Sequence, residues 1–347
     1  MKNNKYMKII CTAMILVALS SLFSCDGFRM TDAPREKIFF DFFDTVTYIY
    51  DYSGGSDDDF DANCAEAESV LREYHRLFDI YNEYSGMNNL CTVNKNAGGD
   101  AVKVDGRLID FLLYAKELHA KTDGEMNVMM GAILRLWHDA RSDAESASSN
   151  LNIPTSAALE EAAWHTSIDL LEIDGDAGTV RISDKNASID VGAVGKGYAA
   201  EKAGELLRTN GARGYVLDVG GNLKIIGTKP DGSGWKTGIR DPENTQNYAH
   251  YLTLANTSCV TSGDYERYFT VDGQKYHHII DKDTLMPSEH FSSVTVIAPD
   301  SGLADALSTA LFCMSYEEGT ELLKNFENVD VIWITRDGQK YLTDRLK

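Results

Sequence analysis

Basic residues are scarce in this chain. It has 33 lysines and arginines against 53 aspartates and glutamates, a formal net charge of -20. A surface of that sign repels nucleic-acid phosphates, which argues against DNA or RNA as a partner. An anionic ligand must then be held by local devices, such as a metal ion or backbone amides. The six cysteines include no C-x-x-C pair, so neither a zinc site nor a dithiol redox motif is indicated. Cys64, Cys91, Cys259 and Cys313 sit in flanks such as "ALFCMS", which suit buried small apolar positions, so free thiols are expected rather than two disulfides. Internal repeats and long linkers are also missing.

What is present is an ordinary globular balance, with 43% hydrophobic residues supporting a sizeable core. The N-terminus stands apart from it. "MKNNKYMK" carries three lysines, and the apolar run "IICTAMILVALSSLF" after it is too short and wrongly flanked for an ordinary transmembrane helix. It reads as a secretory signal. The run ends in "LFSC", which resembles a bacterial lipobox, with Leu22 and Ser24 ahead of Cys25. The expectation is an exported lipoprotein: residues 1–24 removed, Cys25 acylated as a membrane anchor that does not span the bilayer, and residues 25–37 a tether. One integrated domain is expected over residues 38–347.

Within that domain, "KIFFDFFDTVTYIYDY" is aromatic and β-branched and predicts a first strand. Apolar residues at three- and four-residue spacing predict helices over 62–81, 107–122, 156–165 and 302–314. A polar loop or insertion is expected over 142–156. Short strands dominate from Ser167 on. Strands and helices interleave without a regular βαβ rhythm, so the predicted fold class is α+β.

Several stretches carry chemistry. "IDVGAVGKGYAAEK", residues 189–202, looks like a phosphate loop, but the spacing of Gly192, Gly195, Lys196 and Gly197 fits neither a Walker A motif nor G-x-G-x-x-G. Asp190 is read at a strand end, followed by a glycine turn and a helix from about Tyr198. That is either a ligand loop or a turn whose glycines serve geometry alone. In "GLADALSTALF", Asp305 and Thr309 lie four apart and share one helix face, a pairing that suits Mg²⁺ but is also common without one. In "KYHHIID", His277 and His278 on a strand point to opposite faces, so one can act as a general base while the other is structural.

In order, these segments resemble the ApbE family of FAD:protein FMN transferases. The resemblance is carried by residues 190–199, 220–222, 227–232, 235–242, 261–269, 276–281, 293–298 and 304–309. Three departures are visible. Phe43-Asp44-Thr45 replaces the family's M-G-T turn, "GEMNVMMGAILRLW" only loosely follows F-D-x-T-V-G-P-L, and "HIIDKDTLMP" lacks one proline and one glycine of the usual turn.

The resemblance implies a single ApbE-type domain, T-fold-like, with mixed and antiparallel sheets and flanking helices. It implies Mg²⁺ held by the Ala193 carbonyl, Asp305 and Thr309 against the diphosphate of FAD. Phe43, Tyr81, Glu125, Met126, Asn127, Asp190, Lys196, His278 and Ile279 would bind the FAD. His278 would be the base that takes the proton from a serine or threonine of a target flavoprotein, a redox-complex subunit. FMN would then pass to that oxygen as a phosphoester, with AMP released. The alternatives left open are an FAD pyrophosphatase giving FMN and AMP, and a non-catalytic FAD-binding lipoprotein.

Overall fold

The aromatic run near the start of the chain folds as a hairpin, not as the single strand expected. In the computed structural model, which describes residues 34–146 and 152–347, β1 (Arg35–Phe42) turns at Phe43 and Asp44 into β2 (Thr45–Asp51). Both turn residues have positive φ, 53° and 52°, the backbone a two-residue hairpin turn needs. β1 also begins inside the expected tether. Arg35 lies opposite Asp51 in the ladder and pairs with it at 2.8 Å, which draws residues 35–37 into the sheet. The expected signal and Cys25 fall outside the described residues.

The remaining strands are β3 (Val102–Lys103), β4 (Leu171–Asp174), β5 (Thr179–Ile182), β6 (Tyr215–Val219), β7 (Asn222–Ile226), β8 (Trp235–Arg240) and β9 (Tyr248–Leu254). They continue with β10 (Ser258–Gly263), β11 (Tyr268–Val271), β12 (Gln274–His277), β13 (Ser293–Ala298), β14 (Asp330–Ile334) and β15 (Lys340–Leu342). An eight-stranded sheet runs β1-β2-β6-β7-β10-β13-β14-β15, and its neighbours pair antiparallel. The β8–β9 hairpin contributes Trp235, Ile239, Leu252 and Leu254 to a core with Val216, Ile225 and Cys259 of the main sheet. The α+β expectation holds.

The helices are α1 (Asp57–Phe78), α2 (Leu90–Lys95), α3 (Gly106–Lys121), α4 (Gly131–Glu145), α5 (Ser156–Ala163), α6 (Gly195–Thr209), α7 (Ser301–Cys313) and α8 (Tyr316–Leu322). Neither α2 nor α4 was anticipated. α4 runs to Glu145, into the segment expected as a loop. Residues 147–151 of that segment lie outside the described residues. α1 starts where the Ser56 side chain accepts the Asp59 amide, with Asp57, Asp58 and Asp59 complementing the helix dipole. α7 is buried almost all round, so it packs as a core helix rather than a surface one.

α6 and α7 cross in close contact, and the sequence permits this at Gly197. A Cβ there would collide with the Ser301 carbonyl and the Asp305 Cβ. Beneath the crossing, buried Lys224 pairs with buried Glu201 at 2.7 Å and donates to the Pro299 carbonyl. The same Glu201 carboxylate accepts the Ser301 amide at 2.7 Å, which fixes the first residue of α7. Cys64, Cys91 and Cys259 are buried, Cys313 half-buried, and all four are free, as expected. Among the described residues no helix is long and apolar enough to cross a membrane.

Candidate active site

Asp190 does not end a strand. It lies in an extended segment whose backbone is pinned from three sides. The Ile189 amide donates to Asn94 Oδ1, the Asn94 side chain donates back to the Ile189 carbonyl, and the Asp190 amide donates to the Val128 carbonyl. Gly131 packs so tightly on Ser188 that a Cβ would meet its carbonyl oxygen at 2.5 Å. The 125–131 and 188–192 segments, far apart in sequence, are therefore zipped together.

α6 begins at Gly195, inside the glycine turn and three residues earlier than expected. This puts Lys196 and Gly197 in its first turn. The Gly197 amide donates to Asp305 Oδ2 at 2.8 Å. An i to i−4 helix bond from that amide would have used the Ala193 carbonyl, which among the described residues accepts no hydrogen bond. Asp305 is 4% exposed, and burial, eased by Lys196 and the Gly197 amide, raises its pKa. One turn further, Thr309 Oγ1 lies 3.4 Å from Ser262 Oγ, which also meets Ser308 Oγ at 2.8 Å. Asp305 thus meets the start of α6 four residues beyond Ala193, while Thr309, one turn along α7, lies against β10. Among the described residues no group of three or more His, Cys, Asp and Glu side chains is placed to bind a metal.

His277 and His278 separate as the alternation predicts. His277 is buried at the end of β12, its Nε2 on the Ser288 carbonyl at 2.8 Å and its Nδ1 accepting the Ile279 amide. It is structural. His278 reaches solvent just beyond the strand, and its Nδ1 lies 3.2 Å from the Arg267 carbonyl. A carbonyl only accepts, so Nδ1 carries the hydrogen and Nε2 presents a free lone pair. Desolvation in the cleft, then the charges of Arg267 and Lys196 and the neighbouring His277, push the His278 pKa well below the usual imidazole value. The ring stays neutral, as a base must.

Lys196 acts electrostatically on Asp190, Asp305 and His278 alike, which links the four groups. Tyr81 is 60% exposed, with its ring centroid 5.4 Å from that of His138. The Tyr81 hydroxyl pKa is raised by desolvation and by Asp190, and Arg141, Asp44 and Arg267 also act on it. At the tip of the β1–β2 hairpin the Phe43 amide donates to His75 Nδ1, and the Phe43 ring meets the His75 ring edge-on at 5.5 Å.

The other expected contacts divide. Glu125 forms an ion pair with Lys282 at 3.1 Å, and burial raises its carboxyl pKa. Met126 is buried, its amide held by Thr122 and its carbonyl by His119 Nδ1. The Asn127 side chain bridges the Thr166 carbonyl and the Met129 amide, so its polar atoms already serve the fold. Ile279 points its side chain into the core with Val260, Leu307 and Phe312, and its backbone is engaged too, the amide on His277 Nδ1 and the carbonyl accepting the Ser288 amide.

Sequence reasoning missed His138, Arg141 and Arg267. The first two share a face of α4, and only recognition of that helix would have shown them. Arg267 lies inside the 261–269 segment that carries part of the resemblance, yet it was not singled out there. Two recesses elsewhere on the surface, one beside Glu83 and Met87 and one beside Pro242 and Ile334, contain none of the site residues.

A family model described as the ApbE family matches residues 44–333. An FAD:protein FMN transferase of Treponema pallidum is 34% identical over 294 residues, covering 79% of each chain. One of Salmonella typhimurium is 31% identical over 244 residues, covering 69% of this chain and 68% of its own. The crystal structure of an ApbE protein from Thermotoga maritima superposes with a TM-score of 0.78 at 27% identity, covering 90% of this chain and 98% of that one. The flavin transferase ApbE of Vibrio cholerae superposes at 0.72 with 23% identity over 90% of this chain and 98% of its own, a likeness of fold.

Proposed function

The chain belongs to the ApbE family, and from that premise we propose that it transfers FMN from FAD to a serine or threonine of a target flavoprotein. The observation that carries the reading is a pair of anchored groups, His278 with its Nδ1 on the Arg267 carbonyl at 3.2 Å and buried Asp305 on the Gly197 amide at 2.8 Å, with Lys196 acting electrostatically on both. In the step, the acceptor hydroxyl oxygen attacks the FMN phosphorus and its proton passes to His278 Nε2. The P–O bond to the AMP phosphate breaks, and its electron pair leaves with AMP. The Arg267 carbonyl keeps the imidazole in the tautomer this requires. Lys196 supplies positive charge beside the diphosphate.

The residues present fit a magnesium ion. A buried carboxylate with one oxygen on Gly197, an unbonded Ala193 carbonyl and the Thr309 hydroxyl form the partial oxygen set that Mg²⁺ completes with phosphate and water. When bound, the ion supplies the positive charge that a diphosphate leaving group calls for. Solvent reaches His278, so water can take the acceptor's place, giving FMN and AMP when no target is bound.

The reading includes an envelope location, with Cys25 acylated and the chain anchored to the membrane it serves. Its support is the lysine-rich start, the apolar run and the "LFSC" sequence. Labelled palmitate incorporated by the wild type and lost in Cys25→Ser tests that part.

The transferase test incubates the chain with FAD and Mg²⁺, with and without a threonine-bearing acceptor, and follows AMP. A fluorescent flavin covalently on the acceptor is expected, with about 10²- to 10⁴-fold loss in His278→Ala. Because the His278 pKa is lowered, the rate should not fall as pH drops through 6.5, the ordinary imidazole value, but only further into acid. FAD bound with no AMP under any condition would leave a flavin carrier instead.

A further inference from the structure

In a chain with 53 carboxylates, a surface arginine without a carboxylate partner is informative. Arg267 is one of five arginines, with Arg76, Arg135, Arg213 and Arg240, that make no ion pair among the described residues, and it is the one whose main chain contacts His278. Its position is not loose. The Arg267 carbonyl accepts both the His278 amide, at 3.1 Å, and the His278 Nδ1–H, at 3.2 Å. The arginine's main chain therefore holds the base, while its side chain extends free into solvent beside it. The guanidinium acts electrostatically on both His278 and Tyr81. The carboxylates on which Lys196 acts are Asp190 and Asp305. Asp190 gives one oxygen to the Gly192 amide, and Asp305 gives one to the Gly197 amide. Lys196, on α6, is a second cation without an ion pair among the described residues, and the His278 ring feels both charges.

An unpartnered guanidinium held next to a base, in a site for phosphoryl transfer, has one evident use. We propose that Arg267 is a catalytic residue whose guanidinium contacts the non-bridging oxygens of the FMN phosphoryl group as it moves to the acceptor. This rests on the transferase reading. Arginine suits the role because its planar fork matches two phosphoryl oxygens at once. Charge that is already in place as the P–O bond breaks lowers the barrier more than it aids ground-state binding. One residue would thus serve twice, its carbonyl setting the tautomer of the base and its side chain receiving the charge the reaction develops.

The test uses the full chain with FAD and Mg²⁺, single-turnover AMP release, and FAD affinity from flavin fluorescence. In Arg267→Ala, AMP release should slow about 10²- to 10³-fold with FAD affinity nearly unchanged. Added guanidinium ion should restore part of the rate. Arg267→Lys, which keeps the charge but not the fork, should fall between. An alanine variant as fast as the wild type would overturn the proposal. So would a slow variant that guanidinium does not rescue and whose FAD affinity falls in step, since the residue would then be structural. A wild-type chain that releases no AMP at all would sink the transferase reading and this proposal together. Failure in the variants alone would sink only the role of Arg267.

Discussion

Two regions meet at the cleft, and they are built differently. On one side, Asp190, Lys196 and Asp305 sit on or beside the crossing of α6 and α7, fixed by a glycine contact and a buried ion pair. On the opposite side, His278 leads into a turn over residues 281–287 that departs from the family pattern at two positions. Lys282 stands where the family has proline and Leu285 where it has glycine. Leu285 nonetheless keeps the glycine backbone, with φ at 61°. The turn holds because its surroundings hold it. Its backbone closes from Leu285 to Asp281 and from Asp281 to Met286. Trp137 Nε1 donates to the Leu285 carbonyl at 3.0 Å, and Lys282 reaches Glu125. One region takes its geometry from residues that allow no substitute; the other has exchanged its local determinants for tertiary ones.

The contrast can be broken most severely at Lys224. Replacing it with alanine leaves Glu201 charged and buried, and the Ser301 amide then has a mobile acceptor. We expect a loss of about 3–5 kcal/mol in denaturant unfolding, with FAD affinity falling as α7 shifts. Next comes Gly197→Ala. The added methyl forces α6 and α7 apart, which should cost about 1–3 kcal/mol. It should also weaken FAD binding more than any equally destabilising change in the β8–β9 hairpin. Equal affinity in the two cases would show that the crossing supports the fold without setting the site.

The turn region predicts an inverted order. At an ordinary position alanine is more stable than glycine by roughly 0.5–1 kcal/mol. At Leu285 the left-handed backbone penalises alanine by about 1–2 kcal/mol relative to glycine. Both variants lose the same half-buried packing beside Trp137 and Phe269. Leu285→Gly should therefore melt at or above Leu285→Ala. The usual order would mean that the turn relaxes its backbone once the side chain is gone.

How much of this was legible beforehand follows the same division. Asp190, Lys196, Asp305, Thr309 and His278 stand in short motifs whose spacing matches local geometry, so sequence brought them forward together. The free thiols and the main helices were legible from periodicity and flanks. The hairpin at Phe43 was not, because two non-glycine residues at positive φ leave no mark in composition. α4 was not either, since "GAILRLWHDARSDAE" followed a loosely matching motif that drew the attention instead. With α4 went His138 and Arg141. Asn127 and Ile279 matched by position, yet the fold engages the side-chain polar atoms of one and buries the side chain of the other. Position in a motif gives proximity to a ligand, not which atoms are free to touch it.

The smallest effect sharpens the contrast best. Lys282 is the residue that replaces the turn's proline, and its ammonium meets a mostly buried Glu125 at 3.1 Å. If the turn now depends on that tie, Lys282→Met should matter although the pair is partly solvated. We expect a loss of about 0.5–1 kcal/mol. The pH dependence carries the diagnosis. Burial raises the folded-state pKa of Glu125, while Lys282 opposes that rise. Without Lys282 the pKa climbs further, so the folded variant binds its proton more readily than the unfolded chain does. The deficit should then shrink as pH falls through the acid range, because a protonated Glu125 no longer needs the ammonium. It should be largest above neutrality. A deficit independent of pH would mean that Lys282 supports the turn through its backbone or its aliphatic stem, and that Trp137 alone ties the turn to the body of the protein.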